Sequence, residues 1–214
     1  MTALTTVDGV AAPMADANID TDVIMPKRFL KGISRDGLLG GVFADLRFDP
    51  SGRLKRDFVL NQNPYDGARF LIVGPNFGCG SSREHAVWGM RDFGIRALIG
   101  TSFASIFYDN CFRNGLLPVR ASEEVVSLLL RDASDVDTCR FVLDLPAQTI
   151  TTGRGIMHSF EVDQLRKALL VRGIDAVTST LEDASLISQF EQNHFESHPW
   201  LLTEGPSDQQ MKRS

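Results

Sequence analysis

The chain has 214 residues, of which 43% are hydrophobic and 23% charged, the mix of an ordinary globular protein with material for a sizeable core. Its 22 basic and 27 acidic residues leave a formal charge of −5. The composition excludes bulk disorder, collagen and coiled coil, and the acidic balance argues against a nucleic-acid partner, which needs a basic face. The longest apolar runs fall far short of the roughly 20 residues that span a bilayer. The first ten residues carry Asp8 and no Lys or Arg, so a basic secretory n-region is missing and a cytoplasmic location is expected.

In chain order, the first third reads as loop with short helical turns. It contains Asn18-Ile19-Asp20-Thr21-Asp22, then Pro26-Lys27-Arg28-Phe29-Leu30, then glycines at 32, 37, 40 and 41; long stretches of this kind are often functional. From residue 68 the pattern tightens. Residues 68–73 read as a buried strand, 83–93 as a helix, 95–100 as a strand, 103–112 as a helix stopped by Asn114-Gly115, and 116–119 as a third strand. This alternation predicts an α/β layer with parallel pairing. A helix over 122–131 follows, begun by Ser122. Short β segments over 141–145, 148–152 and 158–162 predict added antiparallel hairpins. Two helices close the chain, over about 163–172 and 181–196. The expected organisation is a single domain over 1–202, with a polar, frayed tail at 203–214.

Cys79, Cys111 and Cys139 are odd in number, far apart, and form no Cys-x-x-Cys pair. They read as reduced thiols, not as a disulfide framework or a metal site within this chain. If iron chemistry belongs to this protein, another chain must bring the iron.

The segment richest in chemistry is Gly78-Cys79-Gly80-Ser81-Ser82-Arg83-Glu84-His85, at a strand-to-helix junction. Gly78 and Gly80 let the backbone turn tightly and approach a ligand. The helix start offers free N–H groups and a positive dipole end. Arg83 adds a planar fork suited to a carboxylate, and Ser81 and Ser82 supply hydroxyls. The segment lacks the Gly-Lys-Ser/Thr of a nucleoside-triphosphate loop. Nor does it match the dinucleotide pattern, because Arg83 occupies the third glycine position. A competing account is purely structural: Ser81-x-x-Glu84 has the spacing of a capping box, and His85 can face the core.

These residues resemble the Gly-x-Gly-Ser-Ser-Arg-Glu-His signature of the swivelling domain of the aconitase superfamily. The likeness extends to the Asn18–Asp22 stretch with Pro26, Arg28, Phe29 and Leu30, to Phe58-Val59-Leu60-Asn61, and to Asn110-Cys111-Phe112-x-Asn114-Gly115-Leu116-Leu117-Pro118. Phe190-Glu191 and Pro199-Trp200-Leu201 continue it into the tail. The resemblance implies an aconitase-type β/β/α swivelling fold in a free-standing small subunit. It also implies a hydro-lyase reaction that removes water from a 2-hydroxy dicarboxylate and returns the hydroxyl to the neighbouring carbon. This chain would bind no cofactor, and a 4Fe–4S cluster on a large-subunit partner would act on the leaving hydroxyl. By residue match, Ser81 would take the proton from carbon, Arg83 would clamp a substrate carboxylate, and Ser82, Gly80 and Asp22 would assist binding. Leu30 falls in the loop that would recognise the substrate's side chain, and its apolarity suits an alkyl group better than a third carboxylate. Met25 stands where true aconitases carry a polar residue, which speaks against citrate. Related diacids (citraconate, dimethylmalate, homoaconitate) and a non-catalytic dicarboxylate-binding module remain as alternatives. Without its partner, segment 28–41 is expected to be mobile.

Overall fold

The structure, a computed structural model, describes residues 1–30 and 38–202. It divides into two compact units, Met1–Asp175 and Ala176–Ser214. The predicted frayed tail, 203–214, and the centre of the predicted mobile segment, 31–37, lie outside the described residues.

In the first unit seven strands lie in one order, β4-β3-β2-β1-β5-β6-β7. The strands are β1 (Thr6–Met14), β2 (Phe70–Val73), β3 (Ala97–Gly100), β4 (Leu117–Arg120), β5 (Arg140–Asp144), β6 (Thr149–Thr151) and β7 (Met157–Ser159). The first four in that order run parallel, with Ala11 opposite Phe70, Phe70 opposite Ala97, and Ala97 opposite Leu117. The predicted hairpins join β1 antiparallel, Thr6 standing opposite Asp144. A short helical turn, α1 (Thr21–Ile24), follows β1, and α2 (Ala44–Arg47) lies in the same loop-rich third. Two crossover helices, α3 (Glu84–Phe93) and α4 (Ser105–Arg113), link the parallel strands. The first unit is completed by α5 (Glu123–Ala133), whose N–H at Val125 bonds the Ser122 hydroxyl as predicted, and α6 (Gln164–Arg172).

Strands β2 and β3 read Phe-Leu-Ile-Val and Ala-Leu-Ile-Gly and are buried throughout. Continuous apolar runs of this kind belong to parallel strands covered on both faces. Period-2 alternation then divides their side chains. Leu71, Val73 and Leu98 join a core with Ala86, Val87 and Met90 of α3 and the loops of the first third. Phe70, Ile72, Ala97 and Ile99 join a second core with Val126 and Leu129 of α5, Leu170 of α6 and Phe141 of β5.

The sequence reading missed β1, which lies inside the stretch read as loop. Gly9 and Pro13 disguise it, and a proline argues against a central strand. The register resolves the conflict. β5 pairs only with Thr6 to Val10, and the N–H of Ala11 is the last on that side, reaching Cys139 O at 2.7 Å. Pro13 points the same way two residues on, beyond the end of β5, where no ladder bond is lost.

In the second unit, the predicted helix over 181–196 is α8 (Ala184–Ser197), and a helix that the sequence did not suggest, α7 (Ala176–Glu182), precedes it across Asp183. No helix among the described residues is long and apolar enough to cross a membrane.

Candidate functional site

The loops that leave β1, β2 and β3 meet at the C-terminal ends of these parallel strands, the edge where open α/β sheets place their ligands. The middle loop is the signature segment. On one side it is laced to the loop after β1: Asn18 N donates to Pro75 O (2.9 Å), Gly78 N to Ile19 O (2.8 Å) and Thr21 N to Cys79 O (2.9 Å). The Thr21 hydroxyl donates to Ser81 O at 2.8 Å, and the Asn76 amide donates to Asn18 Oδ1 at 2.8 Å. On its other side Asn76 N donates to the Ser102 hydroxyl at 2.9 Å, and Ala104 N donates to Phe77 O at 3.0 Å. Three segments distant in sequence thus hold one turn.

Two glycines make the turn possible. Gly78 has φ +75° and Gly80 φ +89°, a region costly for residues with a Cβ. A Cβ at Gly78 would also run into the Phe107 ring.

The turn opens onto a cleft of about 150 Å³ lined by Thr21, Gly80, Ser81, Ser82, Arg83 and the first turn of α4. Ser81, Ser82 and Gly80 are exposed, and among the described residues nothing hydrogen-bonds either serine hydroxyl. Arg83 is the N-cap of α3, one residue earlier than the predicted first turn, and makes no side-chain cap. Its guanidinium instead pairs with the Asp22 carboxylate in α1. The arginine side chain is 11% exposed and the aspartate 46%. The hydrogen bond from Arg83 holds the Asp22 carboxyl below its usual range against the opposing effect of burial, and the charges of Arg83 and Lys27 add to it.

The capping-box alternative does not form. Glu84 accepts a hydrogen bond from the Asn114 amide at 2.6 Å, and Asn114 in turn accepts from Trp88 Nε1 at 2.9 Å. Asn114 therefore ties the start of α3 to the end of α4. The sequence shows Asn114 as a helix stop and as part of the family likeness, but no local signal marks its side-chain bond across 30 positions. His85 packs on Trp88, with ring centroids 4.6 Å apart.

The two residues read for substrate specificity, Met25 and Leu30, both pack into the core of the first third. Met25 is fully buried, with its Cε lodged against Gly89 of α3 and its sulfur against Gly41. Its apolarity serves the packing of α3 against the loop-rich first third. Leu30 is half-buried against the same core and is not among the residues that line the cleft around Ser81.

The three cysteines are free thiols, Cys111 and Cys139 buried and Cys79 partly exposed. Burial pushes the Cys111 thiol well up, which makes it inert as a nucleophile. Among the described residues no group of three or more His, Cys, Asp or Glu could hold a metal ion.

Comparison with known proteins agrees with this architecture. Residues 1–124 match the family described as the aconitase C-terminal domain. A protein of Mannheimia succiniciproducens named 3-isopropylmalate dehydratase small subunit 1 is 52% identical over 201 residues, covering 94% of this chain and 99% of that one. The 3-isopropylmalate dehydratase small subunit of Roseobacter denitrificans is 47% identical, covering 94% of this chain and all of its own. The crystal structure of a 3-isopropylmalate dehydratase from Methanocaldococcus jannaschii superimposes with a TM-score of 0.62 at 26% identity, over 87% of this chain and 99% of that one.

Proposed function

This chain belongs to the family of 3-isopropylmalate dehydratase small subunits, and from that premise we propose that it supplies half of the active site that interconverts 2-isopropylmalate and 3-isopropylmalate by loss and return of water. The observation that carries the reading is the exposed Ser81 hydroxyl, unbonded among the described residues, in a cleft shared with Arg83 at the N-terminus of α3.

In this reading Ser81 Oγ takes the proton from the substrate carbon. A serine hydroxyl is a poor base unless it is ionised, and an alkoxide here would face the positive end of α3 and the Arg83 guanidinium. Arg83 spends one nitrogen on Asp22 and has further N–H donors for a substrate carboxylate. Asp22 positions the guanidinium, while Ser82 and the Gly80 backbone border the same cleft. Leu30 belongs to the loop that meets the substrate's alkyl group, an assignment supported by its apolarity alone.

The complementary half belongs to a large-subunit partner, which would hold the 4Fe–4S cluster that polarises the leaving hydroxyl; this chain's described residues offer no ligand set for it. The active species is then a heterodimer, placed in the cytoplasm and in leucine biosynthesis.

The test is reconstitution under anaerobic conditions. The purified chain alone is expected to turn over neither isopropylmalate isomer, and activity is expected on mixing with a cluster-bearing large subunit. Turnover by the isolated, iron-free chain overturns the division of labour. A panel that includes citraconate, dimethylmalate and homoaconitate decides the substrate, and preference for any of these over isopropylmalate overturns that part.

A further inference from the structure

Helix α3 carries Arg83 at its start, and a second concentration of arginines lies at its other end. A cavity of about 230 Å³ there is lined by Arg69, Arg91 and Arg96 together with Thr2, Thr6 and Asp8. It sits where the chain enters β2, β3 and β4, at the opposite edge of the parallel sheet from the Ser81 cleft. The ten-residue span of α3 separates the two by about 15 Å at 1.5 Å per residue.

Three guanidiniums side by side need an explanation in a chain of net charge −5. None of the three forms an ion pair among the described residues. The one carboxylate on the cavity wall, Asp8, pairs with Arg140 at 3.0 Å. Part of the cluster's role is to close the carbonyl end of α3: Arg96 Nη1 donates to Arg91 O at 3.0 Å and to Ile95 O at 2.9 Å, and Arg69 Nη1 donates to Gly94 O at 3.3 Å. That role uses few of the available donors. A helix end contributes only about half a negative charge against three positive ones. Arg91 Nε is buried and has no hydrogen-bond partner among the described residues, and a buried donor left unpaired is costly. Burial, with the neighbouring charges of Arg69 and Arg91, pulls the Arg96 guanidinium below its usual range.

The backbone is also shaped to the cluster. The stem of Arg69 lies directly across Gly9 of β1, where any Cβ would collide with Arg69 Cβ and Cγ. A glycine weakens a strand, and this one clears the path by which Arg69 reaches the cavity.

We infer that this arginine-lined cavity is a binding site for a small multivalent oxyanion, a phosphate or a dicarboxylate, separate from the Ser81 cleft. Planar guanidiniums match either group through paired N–H donors. The volume suits a small anion and not a nucleotide.

Calorimetric titration of the full chain at constant ionic strength, with inorganic phosphate in one arm and malate in the other, tests this. Saturable binding of at least one probe is expected. Its Kd should rise at least tenfold in Arg96→Gln and stay within twofold in Arg83→Gln. The tighter probe identifies the source of the ligand. Should Arg96→Gln fail to fold, Arg69→Gln takes its place, since the Arg69 side chain is exposed. Three outcomes overturn the inference: no saturable binding of either probe, binding that only follows ionic strength, and binding lost in Arg83→Gln but kept in the Arg96 or Arg69 variant.

Discussion

The hydroxyl of Thr21 donates to the backbone carbonyl of Ser81 at 2.8 Å, across 60 positions of sequence. Thr21 is 1% exposed while Ser81 is exposed, so the partly buried bond anchors, from the protein side, the peptide that presents the Ser81 side chain. Thr21→Val keeps the volume and removes the donor. It is expected to cost about 1 kcal/mol in urea denaturation and to lower the turnover of the reconstituted enzyme at least tenfold. Thr21→Ser should restore most of both. Unchanged turnover in Thr21→Val would show that the clamp does not position the site.

The Ser81 side chain, unlike its carbonyl, has no partner among the described residues, and α3 is capped at Arg83 without a side-chain bond. Ser81→Ala is therefore expected to abolish turnover while shifting stability by less than about 0.5 kcal/mol. Near-normal turnover in that variant would remove Ser81 from the chemistry.

The pairing of Asp22 with Arg83 predicts a pH signature. The folded carboxyl titrates below its unfolded value of about 3.9. The unfolded chain therefore takes up the proton first as pH falls, and folding loses support. The contribution is fully present above the unfolded pKa and disappears as pH falls through the folded one. Urea midpoints of the natural chain and Asp22→Asn should differ by a constant amount between about pH 5 and pH 8 and converge below about pH 4. A difference that persists undiminished at the acid end would contradict the ion pair.

Gly78 and Gly155 share nearly the same backbone, φ +75° and φ +77°, but not the same surroundings. A Cβ at Gly155 meets nothing within 4 Å, whereas one at Gly78 strikes the Phe107 ring. Gly155→Ala should lose only the left-handed strain, about 1 kcal/mol. Gly78→Ala should lose at least about 1 kcal/mol more from overpacking, and turnover with it. Equal losses in thermal or urea unfolding would mean that the ring moves aside freely.

What the sequence determined by itself was local and chemical: the apolar runs of β2 and β3, the helices between them, the Ser122 cap, and the glycine turn carrying Ser81, Ser82 and Arg83. Each rests on residues within a few positions of one another, where periodicity and turn chemistry act. Tertiary structure decided the rest. It made a strand of Thr6–Met14 despite Gly9 and Pro13, because partners some 60 and 130 positions away supply the ladder and β5 ends before the missing N–H matters. It turned Met25 into the core, gave Glu84 to Asn114, and gathered Arg69, Arg91 and Arg96 around one cavity. The physical reason is common to all of these: where a side chain points depends on what the fold packs against it, and no spacing along the chain encodes a neighbour that only folding supplies.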